Sequence, residues 1–211
     1  MKTVFWDFNG TILDDARLCH DILVRMLREV GRPTVTFEEY LDIFTFPVRD
    51  YYAKVYDLEA VSFEVLAKRF INLYKPESLK APLTEGAVGT IEAVKAMGYR
   101  NVLLSASETN NLLEQLRHFG IEDLFDDVLG TSDIHAGTKK DIALEYIKDH
   151  PFDTRHSLMV GDTLHDAEVA HAIGCDIVLY TGGHQSKKRL TAHHTIDRID
   201  DVITILSEKG D

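Results

Sequence analysis

The residues of this chain that can do chemistry are mostly acidic and lie far apart in the sequence. Asp7 ends a short apolar run and opens the string Asp7-Phe8-Asn9-Gly10-Thr11. Ser105 follows Val102-Leu103-Leu104, the pair Lys139-Lys140 comes next, and Gly161-Asp162 is followed four residues later by Asp166. Two or three carboxylates beside one hydroxyl and one ammonium offer oxygen ligands to a hard cation such as magnesium, and donors to the oxygens of a phosphoryl group. Asp166, one helical turn beyond Asp162, faces the same way and is a direct or water-mediated ligand candidate.

Such residues act together only if the fold gathers them. Lys2–Phe8 reads as a strand. Leu18, Ile22, Leu23, Met26, Leu27 and Val30 then recur at helical spacing until Gly31 and Pro33. Thr36 and Glu39 form a capping-box pattern, and Ser62 is an N-cap candidate for a helix running to Pro76. From Gly86 the pattern alternates: helix Ala87–Met97, strand Arg100–Ser105, helix Asn110–Phe119, strand Asp127–Gly130, helix Lys140–Asp149, strand Ser157–Val160, helix Asp166–Ile173, strand Asp176–Tyr180. Strict alternation predicts a doubly wound parallel sheet of Rossmann-like α/β type. A helical cap, residues 15–82, interrupts it after the first strand, leaving 1–14 and 83–211 as the core. In such a sheet ligands bind at the carboxyl ends of strands, where each of the residues above falls.

Composition narrows the function. The 211 residues include 35 acidic and 23 basic ones, a formal net charge of −12. That balance argues against nucleic acid and anionic membranes as partners. The cluster Lys187-Lys188-Arg189 reads as a solvated helix start. No apolar run reaches the roughly 20 residues a membrane span needs, and the charged start does not suit a signal peptide, so the expected location is the cytoplasm. Cys19 and Cys175 read as reduced packing residues. The expected assembly is a monomer or weak homodimer.

The string Asp7 to Asp14, Ser105, the lysine pair and Gly161-Asp162-Thr163-Leu164-His165-Asp166 together resemble the four motifs of the haloacid dehalogenase (HAD) superfamily. The similarity is closest to its phosphoglycolate-phosphatase-like branch, which carries a helical cap; Phe119-Gly120-Ile121 and Leu124-Phe125-Asp126-Asp127 support it. The resemblance implies a phosphatase acting on a small phosphorylated metabolite such as phosphoglycolate or a sugar phosphate. Asp7 would be its nucleophile, forming an aspartyl-phosphate, and Mg²⁺ would be held by Asp7, Asp162, the main-chain carbonyl of Asn9 and Asp166. Gly10, Thr11, Ser105 with Ala106, and Lys139 or Lys140 would bind the phosphoryl group, Lys139 having the helical phase that better suits the pattern.

One departure matters. Where most phosphatases of this kind have an acid–base aspartate, this chain has Asn9. An amide transfers no proton, a loss worth about 10²–10⁴ in rate. A slowed or leaving-group-selective phosphatase, a binding or regulatory protein with little turnover, and a substitution made to trap a complex all fit that change; a phosphomutase, which needs the same aspartyl intermediate, is a further alternative. Phe44-Thr45-Phe46-Pro47-Val48-Arg49 resembles the cap's substrate loop with Thr45 in place of glycine. Arg49 is a candidate for a second anionic group on the substrate, or for an ion pair with Asp50, Asp42 or Glu39. The histidines show no zinc spacing. His184, His193 and His194 read as solvated, His165 receives no role, and Thr181-Gly182-Gly183-His184 is a rim loop after the last predicted strand.

Overall fold

A computed structural model describes residues 1–131, 138–191 and 193–209. In chain order the elements are β1 (Thr3–Trp6), α1 (Ala16–Glu29), α2 (Phe37–Ile43), α3 (Val48–Val55), α4 (Phe63–Ser78), α5 (Ala87–Ala96), β2 (Arg100–Glu108), α6 (Thr109–Phe119), β3 (Asp127–Thr131), α7 (Lys139–Asp149), β4 (Leu158–Gly161), α8 (Leu164–Ile173), β5 (Asp176–Tyr180), α9 (Lys187–Leu190), β6 (Thr195–Ile196) and α10 (Asp201–Lys209). The six strands form one sheet in the order β3-β2-β1-β4-β5-β6, with every neighbouring pair parallel. The strand order reverses at β1, so a crevice opens between the carboxyl ends of β1 and β4.

Alternation along β1 explains how both faces are covered. Val4 and Trp6 point into a cluster with Ile91, Val94, Leu112, Leu116 and Val202, while Phe5 points the other way, among Val102, Leu104, Ala143, Met159 and Val169. Both faces are therefore apolar, as a parallel sheet wrapped by helices requires. The capping box predicted at Thr36 is present, with Glu39 returning the bond. Beyond the last predicted strand the structure adds the two-residue β6 and the helix α10, whose Val202 and Leu206 lie one turn apart and are buried.

The helices between β1 and α5 bury a core of their own, in which Leu23, Met26, Leu27, Tyr40, Tyr51 and Tyr52 are the most enclosed side chains. This helical cap meets the sheet domain where the chain passes out and back. Leu13 and Leu83 form an antiparallel bridge, and the Asp14 N–H donates to the Pro82 carbonyl at 3.0 Å. Across from these crossings, the segment after β5 also ties cap to core. The Ser186 N–H donates to Leu41 O at 3.1 Å and the Gln185 amide to Phe44 O at 3.0 Å, while Lys188 pairs with Asp42. The basic cluster expected to be merely solvated is thus partly a tether. Among the described residues no helix is long and apolar enough to cross a membrane.

Candidate phosphoryl site

β1 ends at Trp6, and the next residue delivers its carboxylate to the sheet edge. The Asp7 N–H still donates to Val160 O of β4 at 2.8 Å, holding the two strand exits side by side. The chain then turns tightly: the N–H groups of Thr11, Ile12 and Leu13 all reach Phe8 O. Gly10 sits at φ +75°, where a Cβ would lie 2.4 Å from Asp162 Oδ2 and 2.5 Å from the His184 ring. Only glycine permits that approach. Gly183 does the same from the other side, because a Cβ there would lie 2.2 Å from Asp162 Oδ2.

Asp7, Asp162 and Asp166 offer carboxylate oxygens within 4.8 Å of one another, all of them buried. The Thr11 hydroxyl bridges the first two, at 3.5 Å from Asp7 Oδ2 and 3.3 Å from Asp162 Oδ1. Lys139, at the start of α7 and 3% exposed, ion-pairs with Asp7 and lies 2.5 Å from Asp166 Oδ1. Asp166 Oδ2 is the N-terminal staple of α8, receiving the Thr163 N–H at 3.0 Å and its hydroxyl at 2.8 Å. That helix begins at Leu164, earlier than expected, so Asp166 turns toward the lysine and its own capping loop.

These carboxylates, Lys139, Ser105, Ala106, Asn9, Thr163, His165, His184, Phe44 and Phe46 line a cavity of about 60 Å³. Phe46 stacks on His165 with centroids 4.8 Å apart, and Phe44 stacks on His184 at 4.7 Å, so two rings of the cap roof the core's acidic floor. Lys140 is exposed on the outer side of α7. Arg49 is also exposed, on α3 and outside the cavity lining.

His184 requires a correction. Its polar, glycine-rich neighbourhood predicts a solvated ring, yet the residue is 4% exposed. Its main-chain N–H donates to Asp162 Oδ2 at 2.6 Å, Nδ1 meets the Tyr40 hydroxyl at 2.8 Å and Nε2 meets Asp15 Oδ1 at 3.2 Å. The missed signal was its place shortly after β5, which brings it to the same edge as Asp7 and Asp162. Asp15, fully buried, was missed as well; it lies one residue past the acidic string that carried the resemblance. Cys19 lies close to Asp15 and His184, but its thiol is pushed well above its usual range by burial and by the Asp15 carboxylate.

The electrostatics show an excess of negative charge. Burial raises Asp7 to about 6 against the pull of Lys139, and burial together with repulsion from Asp7 and Asp166 raises Asp162 well above the carboxylate range. Asp166 also loses solvent but is held below its usual value by Lys139, and Asp15 is held low by donors led by His184. His184 loses solvent too, yet the hydrogen bond and charge of Asp15 lift it to about 9. Among the described residues, four buried carboxylates (Asp7, Asp15, Asp162, Asp166) thus face two basic groups, Lys139 and His184. Mutually repelling, buried carboxylates with an all-oxygen donor set at Asp7 and Asp162 fit a hard divalent cation.

The profile of the haloacid dehalogenase-like hydrolase family matches residues 4–180. A phosphoglycolate phosphatase of Haemophilus influenzae is 30% identical over 145 residues, 67% of this chain and 64% of that protein. The tyrosine-protein kinase PtkA of Mycobacterium bovis is 27% identical over 192 residues, 87% of this chain and 63% of that one. The chain therefore spans just under two thirds of these curated relatives. A haloacid dehalogenase-like family hydrolase from Streptococcus pneumoniae superposes with a TM-score of 0.82 at 17% identity, covering 97% of this chain and 98% of its own, which establishes the shared fold. With its sheet order, its inserted helices and a family match over most of its length, the chain belongs to the haloacid dehalogenase-like hydrolases.

Proposed function

We propose that the protein is a Mg²⁺-dependent phosphatase acting on a small phosphomonoester, phosphoglycolate- or sugar-phosphate-like, through an aspartyl-phosphate on Asp7. The carrying observation is the convergence of Asp7, Asp162 and Lys139 beneath a closed cap. Asp7, Asp162 and the main-chain carbonyl of Asn9 would hold the cation, with Asp166 behind them; when bound, it supplies charge neutralisation toward a phosphoryl group.

An Asp7 carboxylate oxygen bonds to phosphorus as the bond from phosphorus to the leaving oxygen breaks. Water then attacks phosphorus, releasing phosphate and restoring the carboxylate. Ser105 and Lys139 bind phosphoryl oxygens, and Lys139 also keeps Asp7 ionised and aimed. Phe44 and Phe46 keep bulk water from the intermediate. Asn9 cannot protonate the leaving oxygen, which therefore draws its proton from water, and turnover is slow or selective for good leaving groups. Asn9 equally favours a second reading, a phosphorylated-ligand binder with little turnover.

A panel of small phosphomonoesters with Mg²⁺ or with a chelator separates these readings: metal-dependent phosphate release is expected, and tight binding without release would favour the second. Mg²⁺ at about 100 times its dissociation constant should also stabilise the fold by about 2.7 kcal/mol, raising the thermal midpoint by roughly 5–10 °C. Gly183→Ala, which drives Asp162 out of place, should remove most of that rise. A full rise in the variant, read by differential scanning fluorimetry, would exclude Asp162 as a ligand.

A further inference from the structure

The side chain of Asn9 is fully engaged, and none of its partners is a substrate. Its Nδ2 donates to Asp15 Oδ2 at 2.8 Å and lies 2.6 Å from the Tyr74 hydroxyl, and its Oδ1 accepts from the Ser107 hydroxyl at 2.8 Å. Asp15 is the hub. It accepts the Gly10 N–H at 2.8 Å and the Tyr74 hydroxyl at 2.5 Å, and it faces His184, whose far nitrogen meets the Tyr40 hydroxyl. Tyr40 lies on α2 and Tyr74 on α4, both in the cap; Asn9 and His184 belong to the core; Asp15 sits at the N-cap of α1 where the two meet.

Two separate cap helices therefore reach the core through one buried carboxylate, beside the phosphoryl cavity. The network needs a donor at residue 9. A carboxylate there would stand 2.8 Å from Asp15 with nothing to donate, placing like charges together out of water.

We propose that Asn9, Asp15 and His184 form a latch that fastens the cap through Tyr74 and Tyr40, and that the amide at residue 9 is a positioning group of this latch. The fastening stands on the contacts alone; its effect on turnover rests on the phosphatase reading above. A chain whose cap closes less often binds substrate more weakly in proportion to the closed fraction, while chemistry in the closed complex is little changed.

Hydrogen–deuterium exchange on the whole chain, without ligand, tests the latch in Asn9→Asp, Asp15→Asn, the double exchange and Tyr74→Phe. Asn9→Asp should speed exchange in α2 and α4 about tenfold while β1 and β4 keep the unaltered rate, the loss expected for a buried charge-assisted contact. The double exchange swaps amide and carboxylate between the two positions. It should return α4 to within about threefold, because the amide at position 15 then donates to the carboxylate at position 9, as Tyr74 does, whereas α2 stays loose without a charged partner for His184. Tyr74→Phe adds no charge, and should loosen α4 and raise KM for p-nitrophenyl phosphate about tenfold with kcat changed less than threefold. Unchanged α4 exchange in Asn9→Asp and Tyr74→Phe, or a double exchange no better than the singles, would overturn the latch. If the exchange pattern holds but no variant, nor the unaltered chain, releases phosphate, the phosphatase reading falls and the latch stands.

Discussion

Replacing Asp7 by Asn should lower Mg²⁺-dependent phosphate release by about 10⁴-fold or more, the scale on which loss of a nucleophile acts in a covalent mechanism. The variant should fold normally. Burial already raises the pKa of Asp7, so a neutral isostere removes a desolvation cost while retaining shape, although Lys139 keeps only Asp166 as a carboxylate partner. Intact mass spectrometry of a quenched reaction supplies the second readout: a phosphate adduct on the unaltered chain and none on Asp7→Asn. An adduct of equal occupancy on both, or residual activity above about a tenth, would remove Asp7 from the nucleophile's position.

The second large effect concerns residue 9. Asn9→Asp by itself should raise kcat less than tenfold, since the new carboxylate would lie against Asp15 and the two would share one proton. Combined with Asp15→Asn, the carboxylate at position 9 gains donors from the new amide and from Tyr74. In that double variant kcat should rise about 10²-fold over the unaltered chain, the lower end of what general acid–base catalysis contributes. Steady-state kinetics on a substrate with a poor leaving group is the decisive measurement, because such a substrate needs the proton most. A full gain from Asn9→Asp alone would show that Asp15 imposes no constraint there. No gain from either variant would remove residue 9 from proton transfer altogether.

Much of this arrangement was legible in the sequence, for a physical reason. A parallel sheet advertises itself through apolar strands alternating with helices, and its chemistry falls at strand exits, so Asp7 and Asp162 could be assigned to one edge although most of the chain lies between them. Lys139 could be preferred to Lys140 because neighbours on a helix diverge by about 100°, and only one of them turns inward. His184 was illegible because what buries it is Tyr40, 144 residues away and on the cap. Its local neighbours, glycines and polar residues, looked solvated. Arg49 could not be placed for the opposite reason: its chemistry suits an anion or a surface ion pair alike, and only α3 shows it exposed and outside the cavity lining. The latch was invisible because each member is unremarkable until the tertiary fold brings Asn9, Asp15, Tyr40, Tyr74 and His184 to one point.

The paired crossings at Leu13–Leu83 and Asp14–Pro82 make the helical insertion a module with a single doorway. Since its two ends meet, a different insert could be spliced in without stretching the sheet, and loop closure would hardly register the change in length. Selection on this scaffold can thus exchange the lid wholesale while the acidic edge stays as it is. The tyrosines that reach the core would have to be rebuilt with each exchange, so residue 15, which meets Tyr74 directly and Tyr40 through His184, would be expected to vary with the lid rather than with the metal.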